Sequence, residues 1–449
     1  MTAPGHPSAT ASRSAVTEAR IAAAAMLADL RGGVLLDAAF DRHVAPLDAR
    51  DRRWTHELVY GMLRRRSWLD RVLAARVRGG LGRLDPDLSD LLRLGTQQLL
   101  FMGSVPPYAA IAQTVELAKQ RHGLGASKLV NAVLRRVDRE RDLPPPAASA
   151  DPVEALAVEH SHPRWLVARW VARWGADATR GLLEANNREA PLVVRPFGVV
   201  REQLEAMLES AHVHVEDAPL VDDSLQLSRG ASLTELGAFQ QGLLFVQDPA
   251  ATLVTRYAAF PAGARVADLC AAPGGKAVEL SRTARVVAAA DLSRARLTRL
   301  RETIVRLELT NVFPVVSDAR APAFAALDAV LVDAPCTGTG TFRRHPDARW
   351  RLKPNDLAVT AAAQRAIVRA AAEAVAPGGL LVYATCSLEP EENDAQVETF
   401  LAEHPDWSLE PPPDGAVPAG VLDAGRLRVL PHLHGTDGAF AARLRRSAH

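Results

Sequence analysis

The sequence predicts a multidomain chain: an all-helical N-terminal part, a small α+β module, and a C-terminal doubly wound α/β domain. Three observations predict it. From Ser14 to Arg141 apolar residues recur at three and four, the spacing of a buried helix face. Ala264 to Lys276, ARVADLCAAPGGK, reads as a strand, a glycine turn and a helix start, the order that builds a nucleotide-type pocket in an open parallel sheet. Asp268, Asp291, Asp318 and Asp333 then mark four successive strand ends, which in such a sheet share one edge. The expected domains are 14–143, 151–245 and 246–449.

Whole-chain properties narrow the class. In 449 residues no run approaches the ~20 apolar residues of a membrane span. The alanine-rich start carries Glu18, Arg20 and Asp29, so it suits an amphipathic helix better than a signal peptide, and the cytoplasm is the expected location. The three cysteines, Cys270, Cys336 and Cys386, are too sparse for a disulfide framework and too far apart for a CxxC zinc site; no metal is expected. Nothing reads as a coiled coil, so a monomer is expected. The net charge of +1 hides an asymmetry: residues 1–150 carry +7 and the remainder −6. A basic first part suggests a polyanion partner, with an ordinary solvated surface as the alternative. Only four of the 53 basic residues are lysines; the one in the glycine turn, Lys276, suggests that a compact ammonium is wanted there.

Residues 1–13 read as a disordered tail. The helical part is punctuated by Asp85-Pro86 and Val105-Pro106-Pro107 and predicts five to seven helices. Its Arg64-Arg65-Arg66 and Arg135-Arg136 are candidate phosphate contacts or solvated helix faces. Leu143 to Ala150, LPPPAASA, is a linker signal. A helix from Pro163 carries Trp165, Trp170 and Trp174, suited to packing and alternatively to base stacking. Leu192–Arg195, Val213–Val215 and Ser224–Leu227 read as strands and Glu202–Ser210 as a helix. Arg285–Asp291, Val312–Asp318, Ala329–Asp333 and Leu380–Thr385 continue the large sheet. Between them lie helices from Ser293 to Leu307 and from Asn355 to Ala376, with Pro377-Gly378-Gly379 turning the chain. A helix from Glu391 to His404, a loop over 405–425, and a closing hairpin of Leu427–Leu430 with Ala439–Leu444 complete it.

The strand-end constellation points to chemistry. A carboxylate some twenty residues past a glycine turn, here Asp291, can accept both ribose hydroxyls, and Asp318 can take the amine of an adenine. These roles suit an adenosine-bearing cofactor, while GxGxxG is absent. Cys336, in Asp333-Ala334-Pro335-Cys336, and Cys386, in Thr385-Cys386-Ser387, share the edge. A thiolate is a good nucleophile near neutral pH. Added at C6 of cytosine, it makes an enamine whose C5 can attack a methyl sulfonium. Asp333 can bond to N3 and N4 and ease that addition. Chemistry alone leaves either cysteine as the nucleophile.

The motifs DLCAAPGGK, VDAPCTGTG, RRHPDARW and YATCSLEPEEN resemble the RNA (cytosine-5)-methyltransferases of the Nop2/Sun class. HELVYGMLRRR, LLRLGTQQLL, VPPYAAIAQTVELAK and KLVNAVLRR are similar to the NusB-like domain of the bacterial RsmB (Sun, Fmu) family, and the resemblance covers about residues 14–449. It implies a NusB-like RNA-binding domain, a small α+β module and a Rossmann-like methyltransferase domain. The implied cofactor is S-adenosylmethionine and the implied substrate 16S ribosomal RNA. Carried over by residue, Cys270, Ala271, Ala272, Pro273, Gly274, Gly275 and Lys276 line the methionine and ribose side of the cofactor. Asp291 holds the ribose, Asp318 lies near the adenine, and Asp333 sits beside the methyl donor and target base. Cys386 becomes the nucleophile, Cys336 assists product release, and Lys276 reaches toward the target nucleotide. Arg343 and Arg344 hold RNA phosphate or a salt bridge within the loop. Ala439, in Thr436-Asp437-Gly438-Ala439-Phe440, departs from the family, which usually has a second aromatic there. The alternatives are a tRNA substrate and an RNA-binding scaffold with an inactive methyltransferase fold.

Overall fold

A computed structural model of the protein describes residues 16–141, 149–228 and 232–448. The expected tail over 1–13 and the linker residues 143–148 lie outside the described residues. The chain divides between Arg173 and Trp174 into two compact units. No helix among the described residues is long and apolar enough to cross a membrane.

The first unit is helical, as its periodicity predicts: Glu18–Arg31, Leu36–Val44, Ala49–Arg64, Arg66–Ala74, Pro86–Phe101, Pro107–Arg139 and Pro152–Glu159. The apolar stripe supplies its core, with Leu58, Met62, Leu69, Leu73, Leu91 and Leu92 buried. Sequence punctuation becomes capping. Asp85 accepts from the Asp87 N–H at 2.8 Å, and Pro86 takes the first helical position, where its missing N–H leaves no bond unmade. The candidate phosphate arginines already have intramolecular contacts. Arg65 lies over the Phe101 ring at 4.4 Å, Arg135 donates to Asn131 at 3.0 Å, and Arg136 donates to Glu140 at 2.8 Å.

A helix over Arg164–Asn187 breaks at Gly175, whose φ of 80° no helix accommodates. Trp170 is buried, with His162 edge-on at 6.1 Å, so it packs and does not stack bases. The small module is a four-stranded antiparallel sheet of order β2-β3-β1-β4. Its strands are β1 (Leu192–Pro196), β2 (Val215–Asp217), β3 (Leu225–Leu227) and β4 (Leu244–Val246). The expected strand at Val213 starts two residues later. Buried Arg195 on β1 donates to Asp223 at 2.7 Å and to Glu279 at 3.1 Å, tying the module to the helix Gly275–Ser281.

The large sheet holds five parallel strands: β5 (Arg265–Asp268), β6 (Val286–Asp291), β7 (Val312–Val316), β8 (Leu327–Asp333) and β9 (Val375–Thr385). The antiparallel strands β10 (Trp407–Leu409), β11 (Leu422–Asp423), β12 (Arg426–Val429) and β13 (Ala439–Arg446) extend it. The main order is β11-β12-β13-β9-β8-β5-β6-β7. Alternate residues serve opposite faces. Val266, Leu331 and Val382 pack with Leu253, Leu280 and Leu297 on one side. Ala267, Val330 and Tyr383 pack with Ile367, Val368 and Phe400 on the other. That two-sided burial explains why these strands read as continuous apolar runs.

Three expectations need correction. Pro377-Gly378-Gly379 does not turn the chain out of the sheet. β9 already starts at Val375, and the irregularity is absorbed as a register shift against β8 between Leu327 and Ala329. Gly378 has φ 72°, and a Cβ on Gly379 would stand 2.6 Å from Val375 Cγ1, so the glycines make a bulge. The closing hairpin forms as expected, β12 pairing antiparallel with β13, and β13 lies between β12 and β9. The expected loop over 405–425 contains the short strands β10 and β11. The helix expected from Glu391 runs Asp394–Glu403, behind a 3-10 turn at Pro390–Glu392. Ala439 is buried in the core.

Candidate active site

The glycine turn is built as the residue types require. Asp268 ends β5 in register with Leu331 on β8 and Ala289 on β6. The chain then bonds back to both neighbours, Leu269 N–H to Leu331 O at 3.0 Å and Ala271 N–H to Ala290 O at 2.9 Å. Gly274 has φ 115°, and a Cβ there would stand 2.3 Å from Leu300 Cδ1; only glycine meets both demands. Buried Asp291 accepts from the N–H groups of Ala272 at 3.2 Å and Ser293 at 2.8 Å. It also pairs with Arg296 at 3.2 Å. Ionised, it has about four acceptor positions, so one remains for a ligand hydroxyl.

Three carboxyls and one ammonium share the strand ends. Lys276 Nζ donates to Asp333 Oδ2 at 2.7 Å. Burial works against the Lys276 charge, but Asp333, Asp268 and Cys386 overcome it and the ammonium pKa is raised. Asp268 is fully buried, and neither of its side-chain oxygens has a hydrogen-bond partner. Burial first, then the charge of Asp333, pushes its carboxyl up to about 7, against the pull of Lys276. The Cys270 thiol is pushed up by burial and by Asp268, Asp333 and Asp291, so it is no nucleophile at neutral pH.

Asp268 predicts a pH dependence of stability. Its carboxyl titrates at 3.8 unfolded and at about 7 folded. Between those values the folded state holds the extra proton. The stabilisation is complete below 3.8 and is lost as pH rises through 7. Asp268→Asn is therefore expected to flatten that loss and to be more stable than wild type above neutrality, by on the order of a few kcal/mol. Thermal unfolding of the two proteins across a pH series checks it; parallel curves would refute the assignment.

Cys336 follows β8 and Cys386 follows β9, and the two Sγ atoms lie 3.2 Å apart as free thiols. The loop after Cys336 is pressed onto the strand ends. Gly340 N–H donates to Cys386 O at 2.9 Å, and Gly438 N–H donates to Gly340 O at 2.8 Å. A Cβ on Gly340 would meet that Cys386 oxygen at 2.7 Å. Arg343 and Arg344 anchor the same loop. Both pair with Asp248, at 2.7 and 2.6 Å, and with Asp437. Of the two sequence alternatives the structure contains a salt bridge, but one that reaches out of the loop.

The structure thus gathers Asp268, Cys270, Lys276, Asp291, Asp333, Cys336 and Cys386 at one edge, with Ala271, Ala272, Pro273, Gly274 and Gly275 forming the turn between them. Asp318 lies just past the end of a strand. β7 stops at Val316, and Asp318 forks onto Arg320 at 2.7 to 3.1 Å, which lowers its carboxyl to about 2. Sequence reasoning missed Arg296, Asp248, Glu392 and Asn393. The last two lie within the quoted YATCSLEPEEN motif, where they read only as a helix start. Among the described residues no cluster of His, Cys, Asp or Glu is arranged to hold a metal ion.

Known proteins share this architecture. A family model described as 16S rRNA methyltransferase RsmB/F matches residues 259–445. A NusB family model matches 17–139, and the ferredoxin-like domain of RsmF/B-like methyltransferases matches 162–234. The ribosomal RNA small subunit methyltransferase B of Vibrio cholerae is 37% identical over 402 residues, which span 88% of this chain and 89% of that protein. The chain belongs to the 16S rRNA methyltransferase RsmB/F family. A Synechocystis protein named probable ribosomal RNA small subunit methyltransferase B is 34% identical across 92% of this RsmB/F-family chain and 95% of its own. The crystal structure of PH0851 aligns with a TM-score of 0.80 at 27% identity, over 97% of this chain and all of that one. NSun6 from Pyrococcus horikoshii, solved with SFG, shares the fold at 22% identity and TM-score 0.57, over 63% of this chain and 98% of its own. The NusB-like helices, the small module and the α/β methyltransferase domain are therefore the family's parts.

Proposed function

We propose that this RsmB/F-family methyltransferase uses S-adenosylmethionine to methylate C5 of a cytosine in 16S ribosomal RNA, through a covalent bond from Cys386 to C6. The observation that carries the reading is the pair of thiols 3.2 Å apart beside the Lys276–Asp333 ion pair. Methylation of an exocyclic amine would need neither thiol. The site suits a cationic cofactor: both oxygens of buried Asp268 lack a partner, and Asp291 and Asp333 add negative charge, which favours a cation. Residues 270–276 and Asp291 would hold the cofactor, with Asp318 toward its adenine. Bound there, it supplies a methyl group on an electrophilic sulfonium.

The chain supplies the rest. The Lys276 ammonium interacts with Cys386. The Cys386 sulfur adds to C6, and the displaced electron pair makes C5 nucleophilic. Asp333 bonds to the N4 amine and to N3 in its protonated form, and the proton on N3 lets the ring take up the electron pair. After C5 is methylated, a base takes the C5 proton, the C6–S bond breaks, and the thiolate leaves; Cys336 assists this release. The base must be splayed out of any stack to reach the thiols. Domains 14–143 and 151–245 would supply RNA affinity, and 246–449 the chemistry, in a cytoplasmic monomer.

Labelled S-adenosylmethionine should transfer methyl to unmodified small-subunit rRNA and leave bulk tRNA unlabelled, with 5-methylcytidine as the digestion product. Label on tRNA alone would remove the substrate assignment, and label on a nitrogen the carbon chemistry.

A further inference from the structure

The two thiols sit on different segments, and one dipeptide holds the neighbours of both. Glu392 is fully buried. Its Oε1 accepts from the Thr337 N–H at 2.9 Å and from Gln364 Nε2 at 3.1 Å. Its Oε2 accepts from the Thr337 hydroxyl. Thr337 directly follows Cys336. Asn393, equally buried, takes the other loop. Its Nδ2 donates to Ser387 O at 2.8 Å, and its Oδ1 accepts from the Thr385 hydroxyl at 2.6 Å. Those residues flank Cys386. The Tyr383 hydroxyl, on β9, donates to the Glu392 carbonyl at 2.6 Å and ties the dipeptide to the sheet.

Three donors directed at two oxygens call for an acceptor-only group, which is a carboxylate. A buried negative charge next to a thiol opposes a second negative charge there. We propose that Glu392 and Asn393 form a clamp that sets the spacing of the two thiols and divides their roles, with the Glu392 carboxylate on the Cys336 side and Cys386 as the nucleophile. Both are positioning residues that act through Thr337, Thr385 and Ser387. The groups facing Cys336 agree. Its hydrogen bond to Cys386, then burial, then the charges of Cys386 and Glu392 raise the Cys336 thiol well above its ordinary value. Tyr383 on β9 is itself raised by burial, Cys336 and Glu392. The nearby cation, Lys276, is engaged by Asp333 and interacts with Cys386.

The division of roles rests on the two-cysteine reading, but its test needs no RNA. The full-length protein is treated with limiting iodoacetamide across a pH series, and each alkylated cysteine is located by mass spectrometry. In wild type, Cys386 is expected to react at lower pH than Cys336. Glu392→Gln should move the Cys336 profile about one pH unit lower and leave that of Cys386 nearly in place. Asn393→Ala should also lower the Cys336 profile, because a relaxed Cys386 loop gives up the thiol–thiol contact. Cys336 reacting first in wild type overturns the proposal, as do folded variants with unchanged profiles. If Glu392→Gln fails to fold, the wild-type order and Asn393→Ala decide. Ordered thiols in a protein that methylates no cytosine carbon would uphold the clamp and reject the proposed reaction.

Discussion

Cys386→Ala is expected to abolish both methyl transfer and the covalent protein–RNA adduct, with a rate loss on the order of a thousandfold or more. Cys336→Ala is expected to keep the adduct and accumulate it. The asymmetry follows from the surroundings of the two sulfurs. Cys386 interacts with the Lys276 ammonium. Cys336 is held neutral by Cys386, burial and Glu392. In the proposed reaction, without Cys386 no bond to C6 forms, C5 never becomes nucleophilic, and the cofactor methyl has no acceptor. Without Cys336 that bond still forms, but its breaking slows. A denaturing gel of labelled RNA separates the cases. An adduct formed by Cys386→Ala and lost in Cys336→Ala would reverse the two roles, and the thiol alkylation order would have to reverse with them.

What was legible in the sequence was local or periodic. The glycine turn is readable because Gly274 must adopt a positive φ immediately after an apolar strand. The alternation of Val266, Ala267 and their counterparts on β8 and β9 is readable because both faces of a parallel sheet are covered. The site's long-range partners were not legible. Arg343 finds Asp248 and Asp437 from 95 and 94 residues away, and Glu392 finds Thr337 from 55; no spacing rule connects such residues. Asp318 shows how a strand boundary can slip. It follows a strand-like run, but β7 ends two residues earlier, and the acid pairs with Arg320 two residues on. Pro377-Gly378-Gly379 misled similarly, because the residues that end a strand also make a bulge within one.

The buried ion network behind the cysteine loop should carry the largest effect on stability. Asp248, Asp437 and Arg343 are each under a tenth exposed. Although burial opposes it, the two guanidiniums hold Asp248 below the usual carboxylate range. Burial beside ionised Asp248 instead displaces Asp437 upward. Removing the charge of Asp248 leaves two guanidiniums facing one carboxyl, and an uncompensated buried charge costs about 3–5 kcal/mol. Asp248 also caps the helix Pro249–Ala258, accepting from the Ala250 N–H at 2.9 Å, worth roughly 1 kcal/mol. Asp248→Asn separates the terms, since asparagine caps as well as aspartate but carries no charge. It should lose nearly as much stability as Asp248→Ala, with the small remainder belonging to the cap. Hydrogen exchange over 249–258 and 436–446 is the suitable readout, because a multidomain chain has no single unfolding midpoint. Asp248→Asn as protected as wild type would mean that the network holds its shape by hydrogen bonds alone. If charge dominates, both variants should also lose methyl transfer, because Arg343 and Arg344 hold the loop that brings Gly340 against the Cys386 carbonyl.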